Sequence, residues 1–212
     1  GDASFDFKNL KNQAPTGTPG ALIPSYENGF DDIVRRQYAT DDWLLNVNDP
    51  ARVIPDFLGG RIPAANAGQA MAYVRDKLLP FERAAPLGEW RDRVMLIADD
   101  NEQGSRVDFL GWNHLDQTAR LDRDGLPAEV DREYVYLHTY ADGPGDTKPG
   151  AKAAILRGLE DGAVMFNYIG HGSPFKIADE SVFLDLDASA LTNRSRPSVF
   201  VAASCDVGKF SD

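Results

Sequence analysis

The sequence has few cysteines, few basic residues and no long apolar run, and each of these absences excludes a class of protein. Its 212 residues include a single cysteine, Cys205, which excludes a disulfide within the chain. Only 22 Lys and Arg residues stand against 33 Asp and Glu, a net charge of −11. Because a phosphate-binding surface needs clustered basic residues, we do not expect a nucleic-acid partner. No run of about 18 apolar residues occurs, so no membrane span is predicted.

Several common catalytic signatures are also missing. The sequence has neither HExxH nor CxxC, and His114 and His138 have no metal-ligand spacing with another His or Cys. We therefore interpret both histidines as structural and do not expect zinc chemistry. The nucleophile-elbow pattern GxSxG is absent as well, so Ser173 is not predicted to be a nucleophile.

What the sequence does contain is an alternation of helical and strand-like segments. A loop-rich part, residues 1–65, precedes a core, residues 66–212, in one catalytic domain spanning 1–212. Asn66 is the expected N-cap of the first core helix, which extends to about Phe81, and Gly162 is the expected end of a later one. The apolar patterns then predict buried strands at 93–98, 163–169 and 197–204, a further strand at 133–139, and helices at 105–121, 151–161 and 180–192.

This alternation predicts an α/β fold with a mostly parallel sheet flanked by helices. In such sheets, ligands bind beyond the carboxyl ends of the strands. Three of the predicted strands end in chemically active side chains: Asp99 and Asp100 follow one, His171 another, and Cys205 the last. The sequence therefore places an acid, an imidazole and a thiol at one edge of the sheet.

A histidine and a cysteine at one sheet edge are the components of thiol hydrolysis. A nearby imidazole lowers the pKa of a thiol, which starts near ~8.5, and then protonates the leaving amine. Glycines on both sides of His171 allow the backbone to approach a substrate closely. The amides of Gly172 and Cys205 are the predicted oxyanion hole.

Two segments of the chain are similar to the catalytic block of gingipain-type cysteine peptidases. They are FNYIGHGSP, which contains His171, and LTNRSRPSVFVAASCDVGKF, which contains Cys205. Upstream, GDASFDFKN, TDDWL, GGRIPA and LPFERAAPLGEWRDRVMLIADD also resemble the family. The resemblance implies a caspase-like three-layer fold and hydrolysis of peptide bonds in a protein or peptide substrate, with Cys205 as nucleophile and His171 as base.

The resemblance has further implications for the site. Some members have an acid that orients the imidazole, and Asp100 is the candidate here, with Asp99 and Glu102 behind it. Members bind calcium, so a structural calcium ion held by Asp2, Asp6, Asp41 and Asp42 is expected as an alternative to ordinary turn-forming aspartates. No cofactor is required for the chemistry. An extracytoplasmic location, secreted or at a bacterial cell surface, is implied by the family alone.

Three functions stay open at this point. The first is a cysteine endopeptidase with an acyl-thioester intermediate, and the second is a sortase or transpeptidase of a bacterial secretion system on the same scaffold. The third is a catalytically silent caspase-like binding domain, which would have no chemical need of His171 and Cys205. Compared with the family pattern, the fold is expected to be incomplete at both ends, with other parts of a longer polypeptide as its partners.

Overall fold

The computed structural model describes residues 26–31, 36–49, 54–62, 64, 66–100, 102–103, 106–107 and 113–208. By its internal contacts the chain divides into two compact units, one of residues 1–79 with 208–212 and one of residues 80–207. The helix at residues 67–73 lies in the first unit, although the sequence pattern predicts it as the first helix of the core.

The first unit contains a hairpin and short helices. Its elements are strands β1 (Tyr26–Asp31) and β2 (Arg36–Thr40), which pair antiparallel, and helices α1 (Asp42–Leu45) and α2 (Ala67–Tyr73), the latter followed by a π-helical turn at Val74–Leu78. The predicted cap of α2 is confirmed: the Asn66 side chain accepts a hydrogen bond from the backbone N–H of Gln69 at 3.0 Å.

The second unit contains the catalytic candidates. Its elements in chain order are α3 (Leu79–Ala84), a 3₁₀ turn (Glu89–Arg91), β3 (Arg93–Ala98), β4 (Glu102–Gln103), β5 (Arg106–Val107), α4 (His114–Gly125), β6 (Asp131–Tyr136), a 3₁₀ turn (Leu137–Thr139), α5 (Pro149–Asp161), β7 (Met165–Ile169), β8 (Gly172–Ser173), β9 (Lys176–Ile177), β10 (Phe183–Leu184), α6 (Asp185–Ala190) and β11 (Val199–Ala203).

The central sheet of this unit is parallel and has the order β11–β7–β3–β6. The chain runs from β3 through α4 to β6, which neighbours β3 on one side. It then runs through α5 to β7, which neighbours β3 on the other side. Right-handed crossovers in opposite directions place α4 and α5 on opposite faces of the sheet. The predicted fold class, a parallel sheet flanked by helices, is confirmed. The connections that leave β3 and β7 run in opposite directions along the sheet. Ligands bind at such a topological switch point in open α/β sheets.

One face of the sheet packs against α5 to form the main core. The inward side chains of β3 and β7 are fully buried, and those of α5 are buried at three-to-four-residue spacing. The residues of this packed layer are Met95, Ile97, Phe166, Tyr168, Ala151, Ala154, Ile155 and Leu159. Helix α5 ends where the sequence predicts, because Gly162 adopts a positive φ of 91° that a side chain would strain.

Three predicted elements differ from the structure in type or in length. The helix predicted at 105–121 is a short strand at Arg106–Val107 followed by a helix that begins at His114, capped by the side chain of Asn113. The helix predicted at 180–192 is confined to Asp185–Ala190. The strand predicted at 133–139 covers Asp131–Tyr136 in the structure, and residues 137–139 form a 3₁₀ turn instead.

The last strand forms as predicted, but it is not buried. Val199 is 61% exposed, and Phe200 and Val201 are also exposed. Its position explains this, because β11 has one neighbour, β7, in the part of the sheet that the structure describes. An apolar run has the same sequence pattern at an edge as at the centre of a sheet. Among the described residues, no helix has the length and apolar character needed to cross a membrane.

Candidate active site

His171 and Cys205 follow adjacent parallel strands at equivalent positions. In the register of β7 and β11, Ile169 lies opposite Ala203, and each candidate comes two residues later. The pairing continues past the strand ends, since the N–H of Gly170 donates to the carbonyl of Ala203 at 3.3 Å. His171 is half-buried and Cys205 is exposed. The carboxyl edge of the sheet thus brings the two predicted residues to neighbouring chain segments.

Gly172 lies directly against the segment that carries the cysteine. A methyl group added at its Cα would lie 2.3 Å from Ser204 Oγ, which is a clash, and 3.3 Å from the Cys205 carbonyl oxygen, which is a tight contact. Glycine therefore permits this approach of the two turns without displacing the Ser204 side chain. The predicted oxyanion residues, Gly172 and Cys205, are neighbours in space for this reason.

The backbone of His171 is held by two strand-end side chains. The carboxylate oxygen Oδ2 of Asp99 accepts the His171 N–H at 2.8 Å, and the Tyr168 hydroxyl lies 2.5 Å from the His171 carbonyl oxygen. The same hydroxyl lies 3.0 Å from Asp99 Oδ2. Asp99 is 1% exposed, and this burial raises the pKa of its carboxyl. Asp99 therefore contacts the main chain of the candidate base.

Asp100, the predicted orienting acid, lies in a different environment. Its Oδ2 is 3.2 Å from the Nζ of Lys148, which also donates to Asp142 at 2.6 Å. Burial by itself lowers the pKa of Lys148, but hydrogen bonds to Asp142 and Asp100 outweigh it and the pKa is raised. The structure thus shows Asp100 beside an ammonium group, and its role toward His171 stays a prediction. Glu102 lies in β4.

The ring of His114, a histidine that the sequence pattern indicates is structural, lies against the ring of His171. Its ring lies edge-on to that of His171, with centroids 5.1 Å apart and planes at 88°. Its Nδ1 is 3.0 Å from the carbonyl oxygen of Asp100. Since a carbonyl can only accept, Nδ1 carries a proton. The sequence signal for this residue was the N-cap Asn113, which places His114 at the start of a helix facing the sheet edge.

Glu180 completes a group of three buried carboxyls with Asp99 and Asp100. One carboxylate oxygen from each lies within 4.8 Å of the others. Glu180 is 7% exposed, and burial, with Asp100 and Asp99 adding to it, raises its pKa to about 7. We assign no metal to this group, because Lys148 already supplies a cation and the oxygens of Asp99 accept protein N–H groups. Nothing in the sequence pattern linked Glu180 to the site.

Among the residues predicted to bind calcium, Asp2 and Asp6 are outside the described residues, and Asp42 begins α1. The carboxylate of Asp41 pairs with the guanidinium of Arg61, with contacts of 2.6, 2.9 and 3.1 Å. The predicted calcium site therefore stays a prediction, and Asp41 has a protein counter-ion.

The fold and the site define a class: an α/β protein with a histidine and a cysteine after adjacent parallel strands. The chain belongs to Peptidase family C25, whose model matches residues 1–212. The resemblance to gingipain-type cysteine peptidases is thereby confirmed. A comparison with curated proteins gives no match.

Two solved structures are similar to the chain. One is the Arg-specific cysteine proteinase gingipain R, at 20% identity and a TM-score of 0.48, with 71% of this chain and 32% of that one covered. The other is the complex of the pro- and mature domains of a gingipain R from Porphyromonas gingivalis, at 19% identity and a TM-score of 0.46, covering 70% and 33%. The chain spans about a third of the length of these structures.

Proposed function

We propose that this chain carries the catalytic residues of a cysteine endopeptidase, with Cys205 as nucleophile and His171 as base. The observation that supports this most strongly is the register of β7 and β11, in which both residues follow paired strand ends by the same two positions. Family membership supports the same chemistry.

In the proposed reaction, the Cys205 thiolate attacks the scissile carbonyl carbon and forms a tetrahedral intermediate. His171 holds the thiol proton and passes it to the leaving amine, which leaves an acyl-thioester on Cys205. Water activated by His171 then releases the acid product and restores the thiol. The exposure of Cys205 favours access by a peptide segment.

The negative charge of the tetrahedral intermediate needs donors fixed before the reaction begins. We assign this role to the backbone amides of Gly172 and Cys205, since the close approach at Gly172 holds the two turns together. One such donor is typically worth about 3 kcal/mol of transition-state stabilisation. Orientation of the imidazole by Asp100, a structural calcium ion and an extracytoplasmic location remain parts of this proposal that rest on the family resemblance.

The experiment is covalent labelling of the full-length protein with an acyloxymethyl-ketone peptide, which captures an active-site thiolate. We compare the wild type with Cys205→Ala, His171→Ala and a matched control, His138→Ala, since His138 is exposed and lies on the 3₁₀ turn after β6. We expect labelling to vanish in the first variant, to fall at least a hundredfold in the second (about 3 kcal/mol), and to be unchanged in the third.

Absence of labelling in the wild type, across a broad panel of P1 side chains and with calcium present, would overturn the peptidase proposal in favour of a silent binding domain. Adding an amine acceptor to a peptide cleavage assay separates hydrolysis from transpeptidation. An amine-linked product in place of the free acid would identify the sortase alternative, because both reactions share the acyl-thioester.

A further inference from the structure

The hydroxyl group of Tyr168 lies within hydrogen-bond distance of two acceptor oxygens. It is 2.5 Å from the carbonyl oxygen of His171 and 3.0 Å from Oδ2 of Asp99. A phenol has one proton and can donate it to only one of them. Because a carbonyl oxygen carries no proton and is the nearer of the two, the Tyr168 proton goes to His171. The 3.0 Å contact with Asp99 Oδ2 is then a hydrogen bond only if Asp99 supplies the proton.

We propose that Asp99 is a neutral carboxylic acid that donates its proton to the Tyr168 oxygen, and that this proton fixes the turn carrying His171. Asp99 is then a positioning residue, and its importance for catalysis rests on the function proposed for His171. With this proton in place, every contact pairs one donor with one acceptor.

The three groups then close a ring of hydrogen bonds. Asp99 Oδ2–H donates to Tyr168, Tyr168 O–H donates to the His171 carbonyl, and the His171 N–H donates to Asp99 Oδ2. The other carboxyl oxygen of Asp99 accepts the N–H of Asp100 at 3.0 Å. The N–H and the carbonyl oxygen of His171 are thereby both hydrogen-bonded to side chains at the carboxyl ends of β3 and β7.

The surroundings of Asp99 disfavour its charged form. It is almost completely buried, and the carboxyl groups of Asp100 and Glu180 lie within 4.8 Å of it. The His171 N–H and the Tyr168 hydroxyl favour the charged form, and His114 does so more weakly, but burial outweighs all three. The ammonium of Lys148 lies against Asp100. Burial raises the pKa of Asp99 and raises that of the Tyr168 hydroxyl well above its ordinary value. The phenol therefore keeps its proton throughout the physiological range.

The ring of hydrogen bonds gives the site a dependence on pH. A carboxyl whose pKa is raised in the folded state stabilises that state while it is protonated, and this contribution is lost as pH rises through the folded pKa. Once Asp99 ionises, two acceptors compete for one phenol proton. We expect the turn at His171 to loosen and the rate of peptide cleavage to fall on the alkaline side.

The first test is infrared spectroscopy of the full-length protein labelled with ¹³C only in aspartate, which separates Asp99 from Glu180. A carboxylic acid C=O band, distinct from the carboxylate bands, is expected at pH 7. It is expected to persist in Cys205→Ala, to shift in Tyr168→Phe where its hydrogen-bond acceptor is gone, and to stay in place in Tyr134→Phe. Tyr134 is the matched control because it lies on an exposed part of β6 and its hydroxyl donates to Asp122 of α4.

The second test is kinetic. We expect Tyr168→Phe to lower kcat for a peptide substrate roughly tenfold to a hundredfold, with KM little changed, because a displaced base affects the chemical step. Tyr134→Phe should leave both constants unchanged.

Two results would overturn the proposal: no aspartic acid band at pH 7, or a band that Tyr168→Phe does not move. Equal kinetic losses in the two tyrosine variants would overturn the positioning role. Failure of the peptidase function would show separately, as a wild type that no thiol probe labels, while the infrared band still reports on the proton.

Discussion

The imidazole of His114 lies edge-on to the imidazole of His171, with 5.1 Å between the ring centroids. A buried ring in this position excludes water from one side of the candidate base and limits the rotation of its imidazole. Such pairs contribute about 0.5–1.5 kcal/mol beyond the area they bury. The Nδ1 contact with the Asp100 carbonyl fixes the His114 ring in turn.

Two substitutions at His114 separate the ring contact from the hydrogen bond. His114→Asn keeps an N–H donor near the Asp100 carbonyl but removes the ring, so we expect kcat to fall up to about tenfold and stability to fall by only about 0.5–1.5 kcal/mol. His114→Phe keeps a ring but loses the donor, so we expect a destabilisation of about 1–3 kcal/mol and a smaller change in kcat. Peptide cleavage kinetics and urea unfolding measure the two effects. Activity losses that simply follow stability in both variants would contradict this assignment.

Glu180→Gln is expected to stabilise the protein at alkaline pH. The pKa of Glu180 is raised from 4.5 to about 7 in the folded state, so the folded state binds this proton more tightly and stability falls as pH rises from 4.5 to 7. Glutamine has no charge to desolvate, so the variant should gain on the order of 2 kcal/mol at pH 8 and nothing near pH 4.5. Urea unfolding at a series of pH values measures this, with exposed Glu129→Gln as the control. A gain that does not depend on pH would refute it.

Lys148→Met is expected to destabilise the protein by about 3–5 kcal/mol, because it leaves the buried carboxylate of Asp100 without its ammonium counter-ion. Asp100→Asn in the same chain should restore part of that loss, since it removes the buried charge. The matched control is Lys176→Met, whose partner Asp179 is 3.9 Å away and half-exposed, and which should change stability by less than about 1 kcal/mol. Denaturant unfolding of the wild type, Lys148→Met, Asp100→Asn and the double variant forms the cycle. Equal losses at the two lysines would count against the pair.

Gly170→Ala is expected to cost roughly 1–3 kcal/mol and to lower activity. A methyl group there would lie 2.3 Å from Asp99 Cβ and 2.4 Å from the Tyr168 hydroxyl, so the groups that hold His171 would have to move. Gly60→Ala is the matched control because no atom lies within 4 Å of its added methyl group. Thermal unfolding and probe labelling measure the two effects. If Gly170→Ala behaved like Gly60→Ala, the packing around Asp99 would be less tight than the structure shows.

Much of the local structure was predictable because its causes are local. The Asn66 cap, the end of α5 at Gly162 and the strands before Asp99, His171 and Cys205 follow from hydrogen-bonding side chains, φ preferences and apolar periodicity within a few residues. The start of α4 differs from the prediction because the Asn113 side chain caps the helix, so that it begins at His114.

The sequence by itself determined which residues follow the strands, and therefore that a histidine and a cysteine share the carboxyl edge of a parallel sheet. Only the tertiary structure decided that β3 lies between β7 and β6, which brings Asp99 beneath the His171 turn. It also decided the contacts of His114, Lys148 and Glu180 with the same edge and the exposure of β11. These depend on the order in which crossovers place distant segments side by side, and no pattern of neighbouring residues encodes that order.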